Sequence, residues 1–139
     1  VSAMLERLSQ RRRMALEDFS FASESGSETR VAHSMRKRGL TVHQQVPLFP
    51  NRHHRVDIVV GKSWVIECDS AMHHSAIKKY ELDRDRDLYL ESHGFRVTRL
   101  SYRQIWQEWE STQQQLNSII MQRAYRKPAG LDPAQVTSR

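Results

Sequence analysis

Three acidic residues lie close together in the middle of the chain and have the chemistry to hold a metal ion. Asp57 falls in one apolar stretch, and Glu67 and Asp69 fall in the next, with Gly61-Lys62 between the two. Carboxylate oxygens are hard ligands that favour Mg²⁺ or Mn²⁺ over softer metals. A metal held in this way can bind a phosphate oxygen and lower the pKa of a bound water. The three acids are therefore predicted metal ligands.

The alternation of side chains along a strand predicts how the two stretches pair. Alternate apolar residues form one row per strand, Val56, Ile58 and Val60 in the first and Trp64, Ile66 and Cys68 in the second. Pairing the rows residue by residue leaves Gly61–Ser63 as a three-residue turn, which is a common hairpin loop. The same register places Asp57 opposite Glu67, with Asp69 on the same face and Cβ atoms ~5–7 Å apart.

An alternative interpretation is that the acidic face is simply the wet side of an amphipathic hairpin. Val59 and Val65 share that face, however, so it is not uniformly polar. The remaining predicted elements also need a surface to pack on. The spacing by itself leaves both interpretations open.

The wider chain must position these acids, and its patterns predict alternating helices and strands. Capping boxes at Ser25–Glu28 and Ser101–Gln104 mark two helix starts, and Gly39 and Gly94 mark two helix ends. The predicted helices are residues 2–19, from Ser25 to Gly39, Ile77–His93 and Ser101 to about Tyr125. The predicted strands are Thr41–Val46, Arg55–Val60, Ser63–Asp69 and Phe95–Leu100.

The composition indicates one soluble α/β domain with a basic surface. The chain has 139 residues, 38% of them apolar, and a net charge of +6. No apolar run is long enough for a membrane helix, and no signal-peptide pattern is present. The single cysteine, Cys68, fits a reducing cytoplasm. The positive charge makes nucleic acid the expected polymeric partner. Because the chain begins with Val1, a missing upstream domain is also considered.

Several motifs in a shared order resemble the PD-(D/E)XK nuclease core. The acids of the hairpin are followed by DSAMH at residues 69–73, DRDRD at residues 83–87 and GFRVTR at residues 94–99, and a GSE helix start precedes them at residues 26–28. The order is most similar to small bacterial domains related to very-short-patch-repair (Vsr-like) endonucleases. The resemblance implies a restriction-endonuclease-like αβββαβ core, a mixed sheet flanked by helices, and DNA as substrate.

Carried over residue by residue, the resemblance implies specific roles. Asp57 and Glu67 would be metal ligands, and Glu28 would complete the site directly or through water. As an alternative, Glu28 only caps its own helix. The usual E-x-K lysine is absent because position 69 is Asp, and His73 is the best substitute as general base or ligand. Ser70 stands where the group usually has glycine.

Basic residues on two predicted helices are candidates for DNA contact. Arg36, Lys37 and Arg38 form one patch, and Lys78 and Lys79 form another. The alternative is an ordinary helix end and a solvated, salt-bridged helix. A structural zinc site is not expected, because the paired histidines lack metal-ligand spacing. Cys68 is expected to pack as a small hydrophobe.

Two main functions follow. The first is a metal-dependent DNA endonuclease or nicking enzyme, with Mg²⁺ or Mn²⁺ as cofactor and the predicted acids and His73 as catalytic residues. The second is a non-catalytic, regulatory DNA-binding module of the antitoxin or abortive-infection type. A third is an interaction domain that dimerises through the C-terminal helix. The predicted divisions are residues 1–24 as helix and linker, 25–126 as the nuclease-like domain, and 127–139 as a flexible tail.

Overall fold

The computed structural model describes residues 25–51, 54–69 and 76–130. A helix covers residues 25–37 and is named α1. The further elements are β1 Val42–Val46, β2 Val56–Val60, β3 Trp64–Cys68, α2 Ala76–Ser92, β4 Arg96–Leu100, α3 Tyr102–Trp106, α4 Trp109–Met121 and a 3₁₀ turn at Ala124–Arg126. The helix predicted at residues 2–19 lies outside the described residues. No helix in the described ranges is long and apolar enough to cross a membrane.

The four strands form one mixed sheet in the order β1-β2-β3-β4. β1 and β3 both run antiparallel to β2, and β4 runs parallel to β3. Parallel neighbours need a long crossover connection, which α2 supplies between β3 and β4. The predicted α/β class and the αβββαβ order are therefore confirmed, and the architecture is compatible with a restriction-endonuclease-like core.

The β2–β3 hairpin has the predicted register and turn. Ile58 pairs with Ile66 and Val60 pairs with Trp64, which leaves Gly61–Ser63 as the turn. Gly61 has a φ of +61°, in the left-handed region that favours glycine. A Cβ at this position would also lie 2.7 Å from the Tyr125 carbonyl oxygen.

Each face of the sheet is covered by its own apolar cluster. The first joins the sheet to α1, α3 and α4 through Val31, Ala32, Met35, Ile58, Val60, Trp64, Ile66, Leu100, Ile105 and Leu116. The second lies on the opposite face with α2 and consists of Val46, Leu48, Val56, Val59, Val65, Leu90 and Phe95. Val59 and Val65 are fully buried, so the acidic face is covered in its middle and is not simply a solvated surface.

One residue of the predicted apolar rows lies in the other cluster. Val56 packs with the second cluster, whereas Ile58 and Val60 pack with the first. Its partner in β1, Val46, also belongs to the second cluster. Gln45, which directly precedes Val46 in β1, has a φ of +54°, and this interrupts the extended backbone of the strand. The strict alternation assumed for the row fails at this end of the sheet.

The single long helix predicted from Ser101 to Tyr125 is wrong, because α3 and α4 are separate. The capping box at its start is confirmed, with Ser101 and Gln104 bonding each other's backbone amides. The break falls at Glu108, whose φ of −129° and ψ of 36° are not helical. The Thr112 hydroxyl donates to the Gln104 carbonyl at 2.9 Å, so a side chain satisfies an acceptor that the break leaves open.

The capping box predicted at Ser25 and Glu28 is also wrong. Ser25 already lies within α1, whereas an N-cap residue precedes the first helical residue. The Glu28 carboxylate accepts hydrogen bonds from the Gln44 and Gln45 side chains of β1. The tertiary contact with the sheet therefore takes the place of the local helix-end bond.

Candidate functional site

A cleft of about 590 Å³ brings together all four predicted site acids. α1 supplies Glu28, β2 supplies Asp57, β3 supplies Glu67, and Asp69 follows directly after β3. They converge because α1 packs on the sheet through Val31 and Met35 and thereby turns Glu28 toward β1. The cleft lies at the end of the β2–β3 hairpin opposite the Gly61 turn.

Asp57 and Glu67 both line the cleft and are in direct contact. The Asp57 carboxylate accepts from the Cys68 amide at 2.9 Å, and Glu67 accepts from the Asp57 amide at 3.4 Å. Burial, followed by the charge of Asp57, raises the pKa of Glu67 well above its ordinary value. Two carboxylates in one half-buried site therefore favour either a shared proton or a bound cation.

Glu28 reaches the same cleft and is held by two amides. Its Oε1 accepts from Gln44 Nε2 at 3.1 Å, and its Oε2 accepts from Gln45 Nε2 at 2.8 Å. Burial raises the pKa of Glu28, the two glutamine bonds lower it, and the Asp57 charge raises it, with a net upward shift. Arg36 in turn donates to Gln44 Oε1 at 2.8 Å, which fixes the orientation of that amide.

The two glutamines were not predicted as site residues. Gln45 Nε2 donates to Glu28 Oε2 and lies 3.4 Å from Asp57 Oδ1, so one nitrogen contacts two site acids. A positive φ at a glutamine costs about 1–3 kcal/mol, and such residues concentrate at functional sites. The only sequence signal was a pair of adjacent glutamines in a short strand that also contains His43.

Asp69 lies near two cationic side chains that line the cleft, Lys79 of α2 and Arg99 of β4. Its Oδ1 lies 3.6 Å from an Arg99 guanidinium nitrogen and 4.0 Å from Lys79 Nζ. Arg99 also forms a paired contact with Asp87, at 2.7 and 3.1 Å, and lies 3.5 Å from Asp83. Asp69 therefore stands in an ion-pair network that ties β4 to α2.

Two further arginines line the cleft and are not paired with a described carboxylate. Arg55 precedes β2 two residues before Asp57, and Arg86 projects from α2. Arg86 Nη2 lies 2.8 Å from His54 Nδ1, and its guanidinium stacks over Phe49 at 5.8 Å. Arg55 was not predicted to contact nucleic acid, whereas Arg86 belongs to the DRDRD motif and was a candidate phosphate contact on the predicted helix.

The predicted basic residues are divided between the cleft and other surfaces. Lys79 lines the cleft, whereas Lys78 is exposed on α2 and does not line it. Arg36 bonds Gln44 of β1, and Arg38 bonds Asn117 at 2.6 Å. Lys37 is exposed at the end of α1. Arg36 and Arg38 therefore bond different neighbours, and contact of this helix end with nucleic acid stays a prediction.

One finding limits the predicted metal set of Asp57, Glu67 and Asp69. His73 and Ser70 lie outside the described residues, so the predicted role of His73 stays a prediction. Among the residues that the structure describes, no three His, Cys, Asp or Glu side chains are grouped closely enough to hold a metal ion together. Asp57 and Glu67 are the adjacent pair, Glu28 is joined to Asp57 through Gln45, and Asp69 lies with the cations.

Comparison of the chain with known protein families gives a match. A family model described as REase_MTES_1575, a restriction-endonuclease-like family, matches residues 28–120. The match begins at Glu28 and covers all four strands and the four acids of the cleft. Neither a curated protein nor a solved structure is similar enough to the chain to count as a match. Because the family model covers most of the chain, the protein belongs to this restriction-endonuclease-like family, which points to a nuclease.

Proposed function

We propose that the protein is a divalent-metal-dependent DNA endonuclease or nicking enzyme that hydrolyses phosphodiester bonds. The observation that carries this proposal is the convergence of Glu28, Asp57 and Glu67 on one cleft at the end of the sheet. Membership of a restriction-endonuclease-like family supports nuclease chemistry. The Vsr-like motif order in the sequence is the reason for choosing DNA as the substrate.

The donor set fits a magnesium site of the kind used with phosphate substrates. Mg²⁺ commonly binds one or two protein carboxylates and completes its shell with waters and substrate phosphate oxygens. Asp57 and Glu67 would hold the ion, and a cation between them would relieve the repulsion that contributes to the raised pKa of Glu67. When bound, Mg²⁺ or Mn²⁺ supplies charge stabilisation at phosphorus and a more acidic water.

The surrounding residues have separate parts in this proposal. Glu28 would bind the ion through water or orient a water. Asp69 would act through its ion pairs, and Lys79 would place a positive charge near the reacting phosphate. Arg55 and Arg86 would hold the DNA backbone, since guanidinium groups bind phosphate in a fixed geometry. His73 would assist proton transfer.

The test is cleavage of supercoiled plasmid in Mg²⁺ or Mn²⁺, with single-stranded DNA as a second substrate. Wild type should convert the plasmid to nicked or linear forms. Asp57→Asn and Glu67→Gln preserve side-chain shape and remove charge, and each should reduce the rate at least about 100-fold. Asp85→Asn and Glu81→Gln make the same changes at exposed sites on α2 outside the cleft and should cleave normally.

Two results would contradict the proposal. The absence of cleavage by wild type on either substrate, with DNA binding retained, would favour the non-catalytic DNA-binding module. Equal cleavage by wild type, Asp57→Asn and Glu67→Gln would show that the activity does not come from this cleft.

A further inference from the structure

We propose that Gln45 is a positioning residue that fixes Glu28 and Asp57 in the orientation needed to bind a divalent metal. The inference rests on the proposed metal site and adds a residue to it that touches neither metal nor substrate. Its starting point is one side-chain nitrogen, Gln45 Nε2, that contacts carboxylates from two different elements.

The backbone at Gln45 is the first line of argument. Its φ of +54° lies where glycine and asparagine are favoured and most other residues are strained. The strain falls in the strand next to the site acids, at the step where the alternation of β1 and β2 is broken. Glutamine does not favour this backbone conformation. What it provides and glycine or asparagine would not is a side-chain amide long enough to reach both acids.

The hydrogen-bond geometry is the second line. The Gln45 amide has two N–H groups, and its acceptors are Glu28 Oε2 at 2.8 Å and Asp57 Oδ1 at the weaker distance of 3.4 Å. The other oxygen of each acid is held by Gln44 Nε2 and by the Cys68 amide, respectively. Every oxygen of the two acids therefore has one donor and retains a second lone pair for a metal or a water.

These hydrogen bonds to Glu28 and Asp57 predict the effect of removing the Gln45 side-chain amide. Carboxylates that bind metals are themselves oriented by hydrogen bonds, and loss of such a partner typically weakens metal binding 10- to 100-fold. Without the Gln45 amide, Glu28 keeps only the Gln44 bond and Asp57 keeps only the backbone bond. The link between α1 and β2 across the cleft is then lost.

The experiment measures Mn²⁺ affinity by calorimetry for the 139-residue wild type, Gln45→Gly and Gln45→Asn. Both replacements suit a positive φ, so the fold should be kept, while neither side chain can bridge the two acids. We expect unchanged or higher melting temperatures together with about 10- to 100-fold weaker Mn²⁺ binding. Gln122→Ala removes a glutamine outside the cleft, whose partner is Arg96, and should bind Mn²⁺ like wild type.

A double-mutant comparison tests whether Gln45 acts through Glu28. In a Glu28→Gln background, Gln45→Gly should weaken Mn²⁺ binding by a smaller factor than in wild type, because one of its two partners has been changed. Wild-type affinity in both Gln45 variants would overturn this inference and leave the proposed function standing. Failure of wild type itself to bind Mn²⁺ would overturn both.

Discussion

The ionisation of Glu67 beside Asp57 affects both the stability of the fold and the proposed binding of a metal ion. In the metal-free protein, burial and a neighbouring negative charge both disfavour the ionised form of Glu67, and its pKa is raised. A bound cation would offset the repulsion between the two carboxylates and favour the ionised form of Glu67. The same residue should therefore be unfavourable for folding at neutral pH and favourable for metal binding.

The raised pKa of Glu67 predicts how stability changes with pH in the presence of a chelator. A carboxyl group whose pKa is higher in the folded state contributes its stability below the unfolded value of about 4.5 and loses it as pH rises through the folded value. Glu67→Gln should therefore be more stable than wild type at pH 8. This advantage should shrink as the pH falls toward 5.

The measurement is urea unfolding at several pH values, with Glu81→Gln as an exposed control on α2. Each unit by which a folded pKa exceeds the unfolded pKa corresponds to about 1.4 kcal/mol. Parallel stability curves for wild type and Glu67→Gln would refute the assignment of a raised pKa. The control should follow wild type throughout.

The sequence identified the acids of the cleft but not their supports. Asp57 and Glu67 could be located because strand alternation and one turn fix their relative positions. Gln45 and Arg99 could not, because their roles depend on contacts between elements far apart in the chain. A local pattern indicates which way a side chain points along a strand, and it contains no information on which helix packs above it.

Among the elements, α2 is attached to the sheet in two different ways. Near its end, Leu90 is buried in the second apolar cluster. Earlier in the helix, Asp83 and Asp87 meet Arg99 of β4, while Ile77, Tyr80 and Leu88 remain exposed. The part of α2 up to Leu88, which carries Lys79 into the cleft, is therefore held by charge pairs more than by apolar packing.

Strand positions were predictable to within a residue or two, whereas helix interruptions were not. All four strands were located from their alternating patterns, and the Gly61–Ser63 turn followed from matching two apolar rows. The break between α3 and α4 escaped prediction because Gln107-Glu108 has no proline or glycine to mark it. At the break, the Gln104 carbonyl oxygen accepts a hydrogen bond from the Thr112 hydroxyl. A pattern of apolar residues cannot predict this bond.

Two turn glycines provide a matched test of what the hairpin turn requires. Gly39 and Gly61 both have positive φ, but a Cβ at Gly39 would meet nothing within 4 Å, whereas at Gly61 it would lie 2.7 Å from the Tyr125 oxygen. Gly39→Ala should cost about 1–2 kcal/mol of unfolding free energy from backbone strain alone. Gly61→Ala should cost about 1–3 kcal/mol more.

Urea unfolding of the two variants, compared with wild type, measures the difference. The expected result is a clearly lower midpoint for Gly61→Ala than for Gly39→Ala at similar slopes. Equal losses of unfolding free energy in the two variants would mean that a Cβ at position 61 does not clash with Tyr125. That outcome would contradict the contact described for Gly61.

For the molecule as a whole, the net charge of +6 is not spread evenly over the proposed DNA-binding cleft. Lys79 and Arg99 are partly neutralised there by Asp69 and Asp83, whereas Arg55 and Arg86 meet no described carboxylate. Nucleic-acid affinity should therefore depend on these two arginines more than on the total charge.

This distribution predicts the salt dependence of DNA binding. In a Glu67→Gln background, Arg55→Gln and Arg86→Gln should each weaken binding and reduce the slope of log K against log salt by about 1. Lys127→Gln changes an exposed lysine outside the cleft and should leave the slope unchanged. Fluorescence anisotropy of a labelled duplex measures both quantities. Equal effects of all three changes would indicate diffuse attraction without a defined DNA path.

The contact between the hairpin turn and Tyr125 also bears on the order in which the chain folds. The β2–β3 hairpin closes over a handful of residues, but the Lys62 amide donates to the Tyr125 carbonyl, more than sixty positions later in the sequence. Contacts that span long separations form slowly because they close large loops. During synthesis, the two strands that carry Asp57 and Glu67 can therefore pair before the Ala124–Arg126 turn, which contacts Lys62, has left the ribosome.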